Sequence, residues 1–186
     1  MSEYDTDATA GTSEADYADQ GADAGYGESE IITLQGQDGS TIYAVDVDHD
    51  GDAEAAGYDK DNDGQLEEIA LDTDNDGTLE TRMVDLDGDG TFDAVLTDTD
   101  GDGVTDVAAL DANGDGIIDR VVADTDGDGI IDTDVRDANF DGVADSVSQD
   151  TDADGDSDVT VTDTDGDGTF ETVRYDDPTT NPLAQA

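Results

Sequence analysis

The chain has 186 residues, of which 54 are acidic and 5 basic, for a formal net charge of -49, and it contains no cysteine. That balance excludes nucleic acid and anionic membranes as direct partners, because no basic patch is present to meet a phosphate. Disulfides and thiolate metal sites are excluded with the cysteines. At 33% hydrophobic content an apolar core cannot carry a fold, and the mutual repulsion of the carboxylates opposes any compact state until something neutralises them.

Residues 1–30 are Asp, Glu, Ala, Gly, Ser and Thr, punctuated by Tyr4, Tyr17 and Tyr26. They read as a disordered acidic arm. Met1 to Asp5 lack the basic and hydrophobic parts of a secretory signal, and no apolar run reaches membrane-spanning length. Ile31–Leu34 and Thr41–Val45 are β-prone and flank an Asp38-Gly39 turn signal, so 31–45 predicts a hairpin that caps the repeats beginning at Asp46.

Residues 46–175 are ten consecutive units of thirteen residues, without insertion or deletion. Position 1 is always Asp: Asp46, Asp59, Asp72, Asp85, Asp98, Asp111, Asp124, Asp137, Asp150 and Asp163. Position 3 is Asp48, Asp61, Asp74, Asp87, Asp100, Asn113, Asp126, Asn139, Asp152 and Asp165. Position 5 is Asp50, Asp63, Asp76, Asp89, Asp102, Asp115, Asp128, Asp141, Asp154 and Asp167, followed each time by glycine. Position 9 is Glu54, Glu67, Glu80, Asp93, Asp106, Asp119, Asp132, Asp145, Asp158 and Glu171. Residues 176–186, with Pro178 and Pro182, read as a stop and a loose tail.

This spacing predicts an oxygen-ligand loop for calcium, about 8 to 10 ions in all, with the first and ninth units weakest. Calcium takes six to eight hard oxygens in a flexible shell. Alternation brings positions 1, 3 and 5 to one centre, and glycine at 6 allows a turn that a Cβ would obstruct. Position 7 offers a carbonyl and position 9 a carboxylate, while positions 2 and 4, Thr99 among them, read as outward. A helix-loop-helix site closes with Glu at position 12, and here no unit has one. The missing ligand would come from position 1 of the next unit, so that Asp98 serves the loop opening at Asp85, or from an adjacent coil. Positions 10–13 are too short for a helix and carry Val, Ile and Thr, which favour strand. The expected fold is an elongated, calcium-stapled β-solenoid or ladder, with an irregular calcium-wrapped rod as the alternative.

The Asp-x-Asp-x-Asp-Gly-x-x-Asp cores at 85–93, 98–106 and 124–132 resemble thrombospondin type 3 repeats, and look like the calcium loops of dockerins and bacterial adhesin repeats. The resemblance implies calcium-dependent folding in a secreted or surface protein. Thrombospondin repeats are stapled by cysteines and dockerin loops are flanked by helices, and this chain has neither feature. His49, the sole histidine, stands at an outward position 4 and reads as a surface substitution rather than a catalytic base. No enzyme is expected. The functional expectation is a structural module, a rod, spacer, surface-layer or filament component, whose stiffness depends on calcium; the alternative is a high-capacity calcium buffer or sensor. Bare strand edges favour lateral or end-to-end self-association.

Overall fold

The computed structural model describes residues 30–177. The expected acidic arm and the tail lie outside them, apart from Glu30, Asp176 and Asp177. A hairpin opens the fold: β1 (Glu30–Gln35) and β2 (Thr41–Asp46) pair antiparallel around Gly36–Ser40, where Asp38 accepts the N–H and hydroxyl of Ser40. Ten short strands succeed it, one per unit. They are β3 (Ala55–Asp59), β4 (Glu68–Leu71), β5 (Thr81–Val84), β6 (Ala94–Thr97), β7 (Val107–Leu110), β8 (Arg120–Ala123), β9 (Thr133–Arg136), β10 (Ser146–Gln149), β11 (Val159–Thr162) and β12 (Thr172–Tyr175). Each covers positions 10–13, the β-branched half of the repeat. The irregular rod is thereby set aside, because every unit contributes regular strand.

The twelve strands form one antiparallel sheet in chain order, β1 to β12, and each contacts only its sequence neighbours. This is the ladder form of the expected architecture, about 50 Å along the direction of strand stacking at ~4.8 Å per step. Because the chain reverses at every unit, the nine-residue loops alternate between the two edges of the sheet. Loops opening at Asp46, Asp72, Asp98, Asp124 and Asp150 share one edge, and those opening at Asp59, Asp85, Asp111, Asp137 and Asp163 share the other. Two backbone bonds fix eight of the ten loops to the ladder, and the loops opening at Asp72 and Asp163 keep one each. The position-9 N–H returns to the residue before position 1, as Asp93 to Val84 at 2.9 Å, and the position-9 carbonyl accepts from position 1 two units on, as Asp111 to Asp93 at 2.8 Å.

The register sorts the side chains onto two unlike faces. Position 10 pairs with 13 and position 11 with 12, as in Ala94↔Leu110 and Val95↔Ala109. Paired residues point the same way, so a given position changes face from one unit to the next. Position 11 in even-numbered units is Ile69, Val95, Val121, Val147 and Val173, all on one face; in odd units it is Ala56, Arg82, Ala108, Asp134 and Thr160, on the other. The sequence shows no clean period of two because the true period is 26. Every charged residue at positions 10–13, Glu68, Arg82, Arg120, Asp134, Arg136 and Arg174, falls on the second face.

On that charged face Arg120 and Arg136 stand directly opposite one another. Asp134 relieves the clash, taking two bonds of 2.9 Å from Arg120 and two, of 3.0 and 2.5 Å, from Arg136. Burial alone would raise the Asp134 pKa, but the two guanidiniums outweigh it and hold the carboxyl below its ordinary value. Its stabilising effect is therefore fully present above the ordinary carboxyl pKa and is lost as pH falls through the lowered one. Asp134→Asn should lower stability at neutral pH by about 1 kcal/mol. Glu68→Gln, which removes the more exposed Arg82 pair, should cost less than about 0.5 kcal/mol. Urea midpoints of the two variants measure the difference, and equal midpoints would contradict the assignment.

Candidate metal centres

Each loop is built by carboxylates turned onto its own backbone. The position-1 aspartate accepts the N–H of the position-6 glycine in all ten loops, at 2.7–3.2 Å. In nine loops its second oxygen accepts the N–H of position 4, at 2.6–2.8 Å. The position-5 aspartate takes the N–H of position 7 at 2.8–3.0 Å in every loop. The position-9 carboxylate reaches back to the N–H of position 2 in every loop, at 2.5–3.1 Å.

This network bends the chain twice. Position 6 glycine has φ of 85–103°, and position 4 is left-handed as well, with φ of 57–78° in all ten units. Half the units meet that demand at position 4 with glycine; the others use His49, Asn62, Asn75, Phe140 and Ala153. The expected obstruction of a Cβ at position 6 needs correction. At Gly103 nothing lies within 4 Å of where a Cβ would stand; glycine is required there by the torsion. Crowding applies where loops of one edge touch, as a Cβ at Gly77 would lie 3.2 Å from Asp52 Oδ2.

Ligand oxygens converge within 4.8 Å of one another in the loops of Asp46, Asp48, Asp50 and Glu54; Asp59, Asp61, Asp63 and Glu67; Asp72, Asp74, Asp76 and Glu80; and Asp163, Asp165, Asp167 and Glu171. In the loop opening at Asp85 the converging set is Asp85, Asp87 and Asp93. Asp89 is outside it and accepts the N–H and hydroxyl of Thr91. Three further acidic groups occur among the described residues. Asp98 is not positioned to complete the loop of Asp85: β6 lies between them, so Asp98 stands at the other edge, its N–H on the Glu80 carbonyl. Any ligand shared between loops comes from the same edge, two units away.

Burial is inverted relative to an ordinary protein. Among the described residues Ala94 is the one buried apolar side chain, whereas ten aspartates are buried, all at positions 1 or 9. They are covered thinly, by the wrap of their own loop. The oxygens Asp59 Oδ1, Glu80 Oε1 and Asp119 Oδ1 are enclosed there with no hydrogen-bond partner. A carboxylate oxygen enclosed without donor or cation is costly, and a hard divalent ion in the loop centre would satisfy it. The donor set, oxygen throughout, suits calcium or magnesium rather than a softer metal.

Crowding shows in the carboxyl pKa values. Asp74 is pushed up, chiefly by the charge of Asp76; Asp126 is raised by desolvation and then by Asp128 and Asp132, and Asp152 by desolvation and then by Asp154 and Asp158. All three stand at position 3. Position 9 moves oppositely in three units where it is aspartate and position 2 is threonine: Asp106, Asp132 and Asp158 are lowered by the hydroxyls of Thr99, Thr125 and Thr151, reinforced by the same residues' N–H groups. Position 2 is thus part of the site rather than outward-facing, and its sequence signal was the recurrence of Thr in half the units. The sequence matches no family model, no curated protein and no solved structure in the respective searches.

Thr99 gives a direct test. The lowered Asp106 pKa contributes stability that is complete above the ordinary carboxyl pKa and vanishes as pH falls through the folded-state value. Thr99→Val keeps the N–H and removes the hydroxyl, so carboxyl-detected NMR should show the Asp106 pKa rising toward its ordinary value. Thr99→Ser should keep it low. An unmoved pKa in the valine variant would remove the threonine from the site.

Proposed function

We propose that the chain is a multi-site calcium-binding structural module whose folding and stiffness depend on the ions. The observation that carries this reading is the burial of ten aspartates against a single apolar side chain. A fold with carboxylates at its enclosed positions lacks the apolar burial that would offset a backbone ordering cost of roughly 1–2 kcal/mol per residue. In each loop positions 1, 3, 5 and 9 would hold one ion, and the ion would supply the neutralisation that lets the loop close. Ten divalent ions would bring the formal charge from -49 to -29. Because they attach to the closed loop and scarcely to the open chain, their binding free energy becomes folding free energy. The role is mechanical rather than catalytic, a rod or spacer, and sites of the affinity common in extracellular modules, about 10⁻⁴ to 10⁻³ M, would fill outside the cell.

A calcium titration followed by circular dichroism and small-angle scattering on one sample tests this. Chelated protein should give a disordered spectrum and an expanded radius; calcium should compact it and restore strand signal. Native mass spectrometry should count about 8 to 10 ions, and magnesium should substitute poorly because it demands a tighter octahedral shell. An identical radius and spectrum with and without calcium would overturn the reading.

A further inference from the structure

We infer that the uncharged face of the ladder is an interface, and that its occupant is the same face of a second copy of this chain. Charged residues make up 32% of the sequence, yet this face carries none at positions 10–13 in any of the ten units. The hairpin continues the pattern with Ile31, Thr33, Tyr43 and Val45, which share the register of this face. Loop residues widen the strip: Leu66 packs where a Cβ at Gly57 would stand, 2.8 Å from its Cδ1. Ile118 and Ala144 flank Val121 and Val135 in a groove of about 220 Å³ that Asp119, Arg120 and Asp137 also line.

A sheet with one apolar face ordinarily buries it against a second layer, and among the described residues no second layer exists, each strand meeting only its sequence neighbours. Residues 1–29 are chemically unsuited to cover it, since they carry eight carboxylates. A second copy fits on two counts. Its own strip matches in length and step, and at positions 10–13 it brings no charge into the contact. Twelve strands at ~4.8 Å spacing and about 13 Å length offer roughly 750 Å² per copy, or about 1,500 Å² buried in total, within the ~1,200–2,000 Å² range of specific interfaces. Two sheets related by a two-fold axis would pack face to face about 10 Å apart as a sandwich.

The charge of -49 on each copy opposes that approach, because the acidic loops of both edges are brought together. Pairing therefore rests on the calcium reading, and sets in with ion loading. Adjacent residues on one strand provide matched variants. Val121 lies on the uncharged face, whereas Val122 lies on the charged face, paired with Asp134. On β6, Val95 is on the uncharged face and Leu96 is paired with Arg82 on the other.

Sedimentation and light scattering of the full chain in calcium should give twice the single-chain mass, falling to the single-chain value in chelator. Val121→Arg and Val95→Glu should return the calcium-loaded protein to single-chain mass with its strand signal and ion count intact. Val122→Arg and Leu96→Glu, each facing an opposite charge, should keep the doubled mass. A folded, calcium-loaded wild type at single-chain mass would overturn the interface and leave the calcium reading standing; so would equal behaviour within both pairs. A chain that takes up no calcium would overturn the calcium reading and, because pairing sets in with ion loading, the interface with it.

Discussion

The bond between an aspartate carboxylate and its own loop's N–H groups organises everything else. At position 1 one side chain holds two backbone donors, as Asp111 holds Gly114 at 2.8 Å and Gly116 at 2.7 Å. For this residue desolvation would raise the pKa, but the N–H groups outweigh it and the value is lowered. The loop is pre-shaped around negative charge, and the same shaping brings several carboxylates together. Closing the loop therefore creates the repulsion that a cation must relieve. That coupling explains why position 3, which holds at most one donor, has its carboxyl pushed up in three units while position 9 is pulled down.

Much of this architecture is legible in the residues. Asp at 1, 3 and 5 with invariant glycine at 6 locates each loop, and the small β-branched half locates each strand. The features that the residues conceal have identifiable physical causes. Glycine at position 4 in half the units signals the left-handed bend there, but Phe140 and Ala153, which adopt it at φ of 62° and 57°, give no hint of it. Such a conformation costs roughly 1–2 kcal/mol for a non-glycine residue, and the bond from the Phe140 N–H to Asp137, at 2.8 Å, helps to hold it. The role of threonine at position 2 is visible only as a compositional bias. The displacement of Asp98 to the far edge depends on strand reversal, which the repeat length alone does not dictate.

Connectivity changes how neighbouring sites influence one another. Loops consecutive in sequence sit on opposite edges and communicate only through a strand of four residues. Loops two units apart touch directly: the position-9 carbonyl of one accepts from position 1 of the other, and Ile117 of one lies 3.8 Å from where a Cβ at Gly142 of the other would be. Cooperativity should run along the edges, in two parallel rows. Within a row, loops stand about 9.6 Å apart, two strand spacings, close to the ~8–10 Å Debye length of physiological solutions. Charge on one loop is therefore felt by the next, and filling one lowers the repulsion at its neighbour.

The segregation of charge onto one face comes from the strand length. In an antiparallel meander, facing positions have a constant sum, here 10 with 13 and 11 with 12. That sum is odd, so a position that points up in one unit points down in the next. A strand of three or five residues would give an even sum, and every position would keep its face throughout the array. A sequence repeating every thirteen residues would then suffice to make one face apolar. With four residues it does not: a strict thirteen-residue repeat would place the same residues on both faces. The uncharged face exists because alternate units differ, Ile69, Val95, Val121, Val147 and Val173 alternating with Ala56, Arg82, Ala108, Asp134 and Thr160 at position 11. The loops repeat every thirteen residues because each must form the same site, whereas in the strands a position returns to the same face only every twenty-six.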